Sequence, residues 1–325
     1  MTALYDVAAI GNAIVDVIAP CDEAFLEAES LVKGSMQLVD EAQAIALYGR
    51  MAPGMETSGG SAGNTVAGVA SLGGRAAYLG KVAADQLGDV YEHDMRAIGV
   101  HFDTPRLVGG PATARSMINV TPDGQRTMCT YLGASIELTP DDVKPEIIEN
   151  STIVYLEGYL FDPSEARRAF AKAAGLAHVS GRQIAITLSD AFVVDRHREA
   201  LLGFIEGQCD IVLANEARLK AQFDAAAAKL GAMTRVCAIT RGAAGSLLLS
   251  GADSVRIAAC PVEKVVDTTG AGDQYAAGFL LGIARGLPLA VAGKLGSLAA
   301  AEVIGHYGPR PQAALLDLAK AEGLI

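Results

Sequence analysis

The segment Asp267-Thr268-Thr269-Gly270-Ala271-Gly272-Asp273, followed by QYAAGFLLGIARG, holds the clearest chemical potential in the chain. Gly270, Ala271 and Gly272 precede an apolar run that reads as a helix, so they must form its start. The N–H groups of a helix start lack intrahelical acceptors and carry partial positive charge from the helix dipole. That suits the negative charge building on a phosphoryl group in transfer, where one preorganised donor is worth roughly a hundred- to a thousandfold in rate. Asp273 falls in the same first turn, where a carboxylate can take the proton of an attacking hydroxyl. A lone G-A-G-D more often marks only a capped helix start. The full string before an amphipathic helix, in a chain that alternates strands and helices, is much more specific.

A second group lies near the start of the sequence. Asn12 and Asp16 belong to GNAIVD, at the end of one apolar run and inside the next. A carboxylate among apolar neighbours is costly unless paired, and sugar hydroxyls are good donors to it. The plainer alternative is an exposed aspartate on a half-buried edge strand. Gly60 would let a backbone approach a ring closely, and Asn64 offers both a donor and an acceptor. Tight helix packing is the competing use of the small residues Ala62, Gly63 and Gly68.

Other chemistries find little support. The 325 residues carry a net charge of −11, and basic residues form no runs, which argues against a nucleic-acid partner. GRAAYLGKV fails as a phosphate loop: it has one residue too many between Gly74 and Gly80 and ends in valine. No G-x-G-x-x-G follows a strand convincingly. The five cysteines show no C-x-x-C pair and the five histidines no metal spacing. MTALYDVAAIGN lacks the basic region and long apolar run of a signal peptide, and no stretch reads as a membrane span, so the cytoplasm is the expected compartment.

These residues need elements to position them. Tyr5 to Ile10 reads as a strand, followed at once by another, Ala13 to Ala19; Asp40 can cap a helix over EAQAIALYGRM. A small-residue helix follows Ser58 to Gly63, then a strand from Ala76 and a helix from Gln86. TARSMINV and RTMCTY flank Thr121-Pro122-Asp123-Gly124, a hairpin pattern. From Thr152 onward strands alternate with helices, one of them capped by Ser164, and the last part is helical. This rhythm predicts an α/β fold with a mostly parallel sheet and helices on both faces. The early strands and hairpin, about 12–38 and 101–134, are assigned to a small β-sheet lid within a single domain spanning 1–325.

At this point the sequence resembles the ribokinase-like (PfkB) carbohydrate and nucleoside kinases. Asp267 to Gly278 matches their C-terminal signature. Gly59-Gly60-Ser61-Ala62-Gly63-Asn64, continuing to Leu79-Gly80-Lys81-Val82 and Asp85-Gln86-Leu87-Gly88, matches their N-terminal one. The resemblance implies a ribokinase-like fold with a lid and ATP with Mg²⁺ as co-substrate. It further implies Asp273 as base and the amides of Gly270, Ala271, Gly272 and Asp273 as anion hole. Asn12, Asp16, Gly60, Ser61, Asn64 and Asp273 would face the acceptor, and Asn215, Thr240, Gly242, Gly245, Gly270 and Gly272 the nucleotide. Arg126 would reach the phosphates from the lid, or else be a solvated turn arginine. A monovalent cation such as K⁺ would lie near backbone carbonyls of Asp267 and Thr269. The family's N-x-x-E motif is broken, with Arg218 where glutamate belongs, which opens the alternative of a ligand sensor with weak catalysis.

GNAIVD, Thr130 to Ser135 and HYGPRPQ look most like bacterial adenosine kinases. The implied reaction is therefore phosphorylation of a 5′-type primary hydroxyl, of adenosine first, with ribokinase-, fructokinase- and ketodeoxygluconokinase-type acceptors as alternatives. Met36, Leu38, Tyr131 and Leu132 are candidates for an apolar base slot. The partners are a small molecule and ATP, with a monomer or homodimer and neither membrane nor nucleic acid.

Overall fold

Short runs rich in Val, Ile and Ala, punctuated by Gly and Asp, form strands, and the longer alanine-rich stretches between them form helices. The computed structural model describes residues 3–189, 191–216 and 223–325. Numbered in chain order, the large sheet takes β1 (Tyr5–Ile10), β5 (Ala76–Leu79), β6 (His101–Phe102), β9 (Ser151–Glu157) and β10 (Gln183–Thr187). It also takes β11 (Ile211–Asn215), β12 (Val236–Thr240), β13 (Ser246–Ser250) and β14 (Asp253–Ile257). The spatial order is β14-β13-β12-β11-β10-β9-β1-β5-β6, parallel from β12 to β6, with β13 and β14 antiparallel at one edge. The small sheet holds β2 (Ile14–Pro20), β3 (Met36–Leu38), β4 (Met55–Ser58), β7 (Ala114–Val120) and β8 (Arg126–Tyr131), in the order β3-β8-β7-β2-β4.

Two bounds differ from expectation. His101–Phe102, expected in the small sheet, pairs with β5 of the large one, while Met55–Ser58, outside the expected ranges, pairs with β2. Ser164, expected as a cap, is the first residue of the Ser164–Val179 helix, with Pro163 before it and no side-chain cap bond. Among the described residues, no helix is long and apolar enough to cross a membrane.

The central strand shows why the layers form. Alternate side chains of β1 point to opposite faces. Val7 and Ala9 join the layer containing Tyr78, Tyr155 and Phe279. Ala8 and Ile10 join the layer containing Leu156 and Phe170. Helices therefore cover both faces. The Ser61–Ser71 and Ala271–Ala284 helices share the first layer, together with Leu289–Ile304. Asn12, Glu157, Asn215 and Thr240 all fall at the carboxyl ends of parallel strands or just beyond, where open α/β sheets bind ligands.

The lid's register sorts its residues by face. Thr57, Asp16, Ser116, Thr130 and Leu38 lie side by side across the sheet, and so do Met55, Ile18, Ile118, Met128 and Met36 two residues on. The polar row and the apolar row thus share one face, and Arg126 lies on that face too. The other face carries Met117 and Cys129 onto Ala44 and Leu47 of the Glu41–Tyr48 helix, which Asp40 caps as expected.

The Ala271–Ala284 helix is set against Leu289–Ile304 by glycines. A Cβ at Gly278 would stand 2.5 Å from the Leu295 carbonyl oxygen. Gly278→Val should therefore lower unfolding free energy by roughly 1–3 kcal/mol or more through overpacking. Urea denaturation measures it; a variant as stable as the parent would contradict this packing.

Candidate active site

Two helix starts converge on one carboxylate. Asp273 is the third residue of the Ala271–Ala284 helix. Its Oδ1 accepts from Ser61 Oγ at 2.6 Å and its Oδ2 from Asn64 Nδ2 at 3.2 Å, both from the first turn of the Ser61–Ser71 helix. Gln274, fully buried, ties the helices by donating from Nε2 to the carbonyls of Asn64 and Pro309, each at 3.0 Å. Gly270 adopts φ +78°, and a Cβ there would meet the Pro309 backbone at 2.5 Å. Only glycine fits that approach. First-turn N–H groups of a helix generally lack intrahelical acceptors; Gly272 and Asp273 stand in that turn, and Gly272 has open space where a side chain would be. Ala271, expected in the same donor set, instead turns its N–H to the Thr268 carbonyl at 3.3 Å.

The residues expected to face the acceptor gather beside it. Asn12 donates from its backbone N and from Nδ2 to Glu157 Oε1, at 3.3 and 2.7 Å, and Ala62 N donates to Glu157 Oε2 at 2.8 Å. Those bonds leave Asn12 Oδ1 buried with no partner among the described residues. Gly60 has φ +82°, and a Cβ there would stand 2.2 Å from the Asn12 carbonyl oxygen. A Cβ on Gly59 would strike the Asp16 carboxylate at 2.4 Å. Asp16 is buried rather than exposed on an edge. Burial pushes its pKa up to about 7; Arg310 and then Arg126 pull it down, and Asp273 adds to the rise. Burial likewise pushes Glu157 up to about 7, against the hydrogen bonds from Ala62 and Asn12.

The lid reaches the signature loop through Arg126. This residue is buried, which overturns the solvated-turn alternative, and its Nη2 lies 2.5 Å from Asp267 Oδ2 in an ion pair off the N–H direction. Nε and Nη1 are buried with no partner among the described residues. Asp267 also accepts from Thr269 N and Oγ1, at 3.0 and 2.8 Å, and from Gly308 N at 3.0 Å.

Of the residues expected to face the nucleotide, Asn215 and Thr240 are lateral neighbours, with Asn215 Nδ2 donating to Thr240 Oγ1 at 3.4 Å. Gly242 and Gly245 follow with φ +54° and +79°. Glu216, beside the broken motif, receives two 3.2 Å hydrogen bonds from Arg241. Arg218 lies outside the described residues.

Residues 50–314 match the family model described as pfkB family carbohydrate kinase. The chain belongs to the pfkB family of carbohydrate kinases. It is thus a kinase with the ribokinase-like fold, and the family implies ATP as donor. An adenosine kinase from Sinorhizobium meliloti is 52% identical, with a TM-score of 0.92, covering 98% of this chain and 100% of that one. A probable sugar kinase from Rhizobium etli CFN 42 is 47% identical, with a TM-score of 0.93, and covers 100% of both chains. A 5-dehydro-2-deoxygluconokinase from Listeria monocytogenes is 26% identical, covering 81% of this chain and 85% of its own length.

In this pfkB kinase the structure adds three residues that sequence reasoning missed. Glu157 ends a buried strand and resembles any strand-terminal acid; Gln274 lies inside the C-terminal signature and Arg310 in the noted tail string, but neither carried an assigned role. The apolar slot also needs correction. Tyr131 lies on the opposite face of the lid from Thr130, packed near Cys129 and under Arg115, so it does not join Met36 and Leu38.

Asp16 and Glu157 bind their protons more tightly folded than unfolded. Their contribution to stability is therefore full below about pH 4 and is lost as pH rises through about 7. Asp16→Asn should stabilise the apoprotein at pH 8 by on the order of 1–3 kcal/mol relative to the parent and lose that advantage by about pH 4. Urea unfolding at the two pH values checks the sign; a variant less stable at pH 8 would contradict it.

Proposed function

We propose that this kinase transfers the γ-phosphoryl group of MgATP to a primary, 5′-type hydroxyl of a ribose-containing acceptor, adenosine first. The reading is carried by the Asp273 carboxylate, set in a helix first turn and oriented by Ser61 and Asn64. The acceptor hydroxyl gives its proton to Asp273 as its oxygen bonds to the γ-phosphorus. The bond to the β–γ bridging oxygen breaks, and ADP leaves. The N–H groups of Gly272 and Asp273 face the developing charge, and Arg126 offers Nε and Nη1 to phosphate oxygens.

Ring hydroxyls would donate to the Asp16 carboxylate and to Asn12 Oδ1, while Gly60 serves the close approach of the Asn12 backbone that sets this residue in place. Asn215, Thr240, Gly242 and Gly245 would line the nucleotide side. Magnesium enters as part of the MgATP substrate, on its phosphate oxygens. The Asp267 carboxylate is saturated by Arg126, Thr269 and Gly308, so a monovalent cation at this loop would use backbone carbonyls near Asp267 and Thr269 instead.

Adenosine is favoured by two observations. The Sinorhizobium meliloti relative so named shares 52% identity across nearly the whole chain. The lid face that bears Asp16 also presents Met36 and Leu38, 45% and 61% exposed, beside Ile18 and Met128. An apolar surface of that kind is suited to cover a flat base. A sugar acceptor is the second reading, favoured by the Rhizobium and Listeria relatives.

ADP release should be measured with purified protein, MgATP and a panel of adenosine, other nucleosides, ribose, fructose and 5-dehydro-2-deoxygluconate. Adenosine should give the highest kcat/KM, and a hexose preference would overturn the acceptor assignment. Asp273→Asn should keep the fold and lower kcat by about 10²–10⁴-fold; unchanged turnover would remove Asp273 from the role of base.

A further inference from the structure

Arg310 stands between Pro309 and Pro311, in the loop after the Leu289–Ile304 helix. Proline fixes φ on both sides of it, so the loop has few conformations to lose. The same loop is anchored under the signature helix: Pro309 accepts from Gln274 Nε2 at 3.0 Å, and its backbone fills the space beside Gly270. From there the guanidinium runs beneath the Ser61–Ser71 helix. Nε donates to Asn64 Oδ1 at 3.4 Å, and Nη2 lies 3.6 Å from Met95 Sδ. Among the described residues, no carboxylate oxygen lies within 4.0 Å of it. Arg126, by contrast, is paired with Asp267.

We propose that Arg310 is a positioning residue for the acceptor: it fixes the orientation of Asn64 and supplies the positive charge that lets Asp16 meet the acceptor as a carboxylate. The proposal rests on the acceptor reading above and deepens it. The first half follows from the amide's two ends. Arg310 has only donors, so it selects Asn64 Oδ1, and the opposite end, Nδ2, is thereby turned to Asp273 Oδ2. The second half follows from what faces Asp16. Its charged neighbours are Arg310, Arg126 and Asp273, with Tyr91 also within electrostatic reach, while its row partners Thr57 and Ser116 are neutral. Asp273 opposes ionisation, and Arg126 is committed to Asp267. Arg310 also faces Tyr91, Tyr78 and Asp94, with none of the described carboxylates in an ion pair with it. Close packing leads from it to Asp16: a Cβ on Gly63 would stand 3.9 Å from Arg310 Nη2 and 2.7 Å from the Tyr91 hydroxyl, which donates at 3.3 Å to the carbonyl of Gly59, the residue set against the Asp16 carboxylate. The pull of Arg310 on Asp16 exceeds that of Arg126.

The test compares Arg310→Gln and Arg310→Lys with the parent by two readouts. In the apoprotein, carboxyl ¹³C NMR follows the titration of Asp16, assigned by its loss in Asp16→Asn. In turnover, kcat/KM for adenosine is measured against pH, with melting temperature as a check on folding. Arg310→Gln should raise the Asp16 midpoint by about one pH unit, move the acid limb of kcat/KM the same way, and raise KM for the acceptor at least tenfold, with a smaller fall in kcat. Arg310→Lys, which keeps the charge but not the planar contact with Asn64, should keep the midpoint near the parent's and show an intermediate KM. A midpoint and acid limb unmoved in folded Arg310→Gln would overturn the proposal, leaving Arg310 a packing residue. A moved midpoint in a protein whose parent phosphorylates no panel member would sink the acceptor reading instead, and with it the proposal's link to the acceptor.

Discussion

The Asp273 carboxylate is held in place because two helices start at the same point. Each start brings partial positive charge to bear on that carboxylate, and one of them adds side-chain donors. Ser61 and Asn64 come from one start, and the backbone of the other carries Asp273 itself. The convergence is held from below by the buried Gln274 amide, whose Nε2 bridges Asn64 and Pro309. Much of the remaining architecture serves that meeting: small residues at Gly68, Gly270 and Gly278 allow the close approaches it requires.

Around this centre the fold accepts electrostatic cost. Asp16 and Glu157 are carboxyls in places where burial favours their neutral forms. Glu157 is relieved by three N–H donors and serves to hold Asn12. Asp16 receives no comparable set, and its relief is long-range, from arginines on two other segments. A group left under-satisfied in the free protein is one that a ligand's donors can satisfy, so under the proposed acceptor reading the cost in stability is the counterpart of affinity.

The sequence made the regular elements legible where the pattern was local. β1, the hairpin of β7 and β8, and the three helices that close the chain follow from apolar periodicity and turn residues within a few positions. What escaped was short or set from afar. Met36–Leu38 is three exposed residues and has no alternation to read; Met55–Ser58 hides among Gly and Pro. His101–Phe102 is a strand only because β5 lies beside it. The site shows the same division. Asp273, Gly270 and Asn64 announce themselves in signatures. Glu157 and Arg310 act on residues 145 and 246 positions away, and no local spacing encodes that.

The lid and the signature loop are coupled by charge rather than by apolar contact alone. Asp267 is one acceptor for three segments: Arg126 from the lid, Thr269 within the loop, and Gly308 from the tail. Withdrawing Arg126 would leave a buried carboxylate with neutral donors only, so an open lid is costly at the point where Gly270 begins its helix. The hairpin turn adds to this, since Gly124 lies beside Tyr307 and the Val266 carbonyl. Moving the hairpin away would therefore disturb the loop that shapes the helix start at Gly270. Because the tail segment that supplies Gly308 also supplies Arg310, the same few residues connect the small sheet, the helix start and Asn64. A fold in which Asn64, the Asp267 carboxylate and the helix that begins after Gly270 all lean on one short proline-bounded loop can hold all three in register without a large rigid interface.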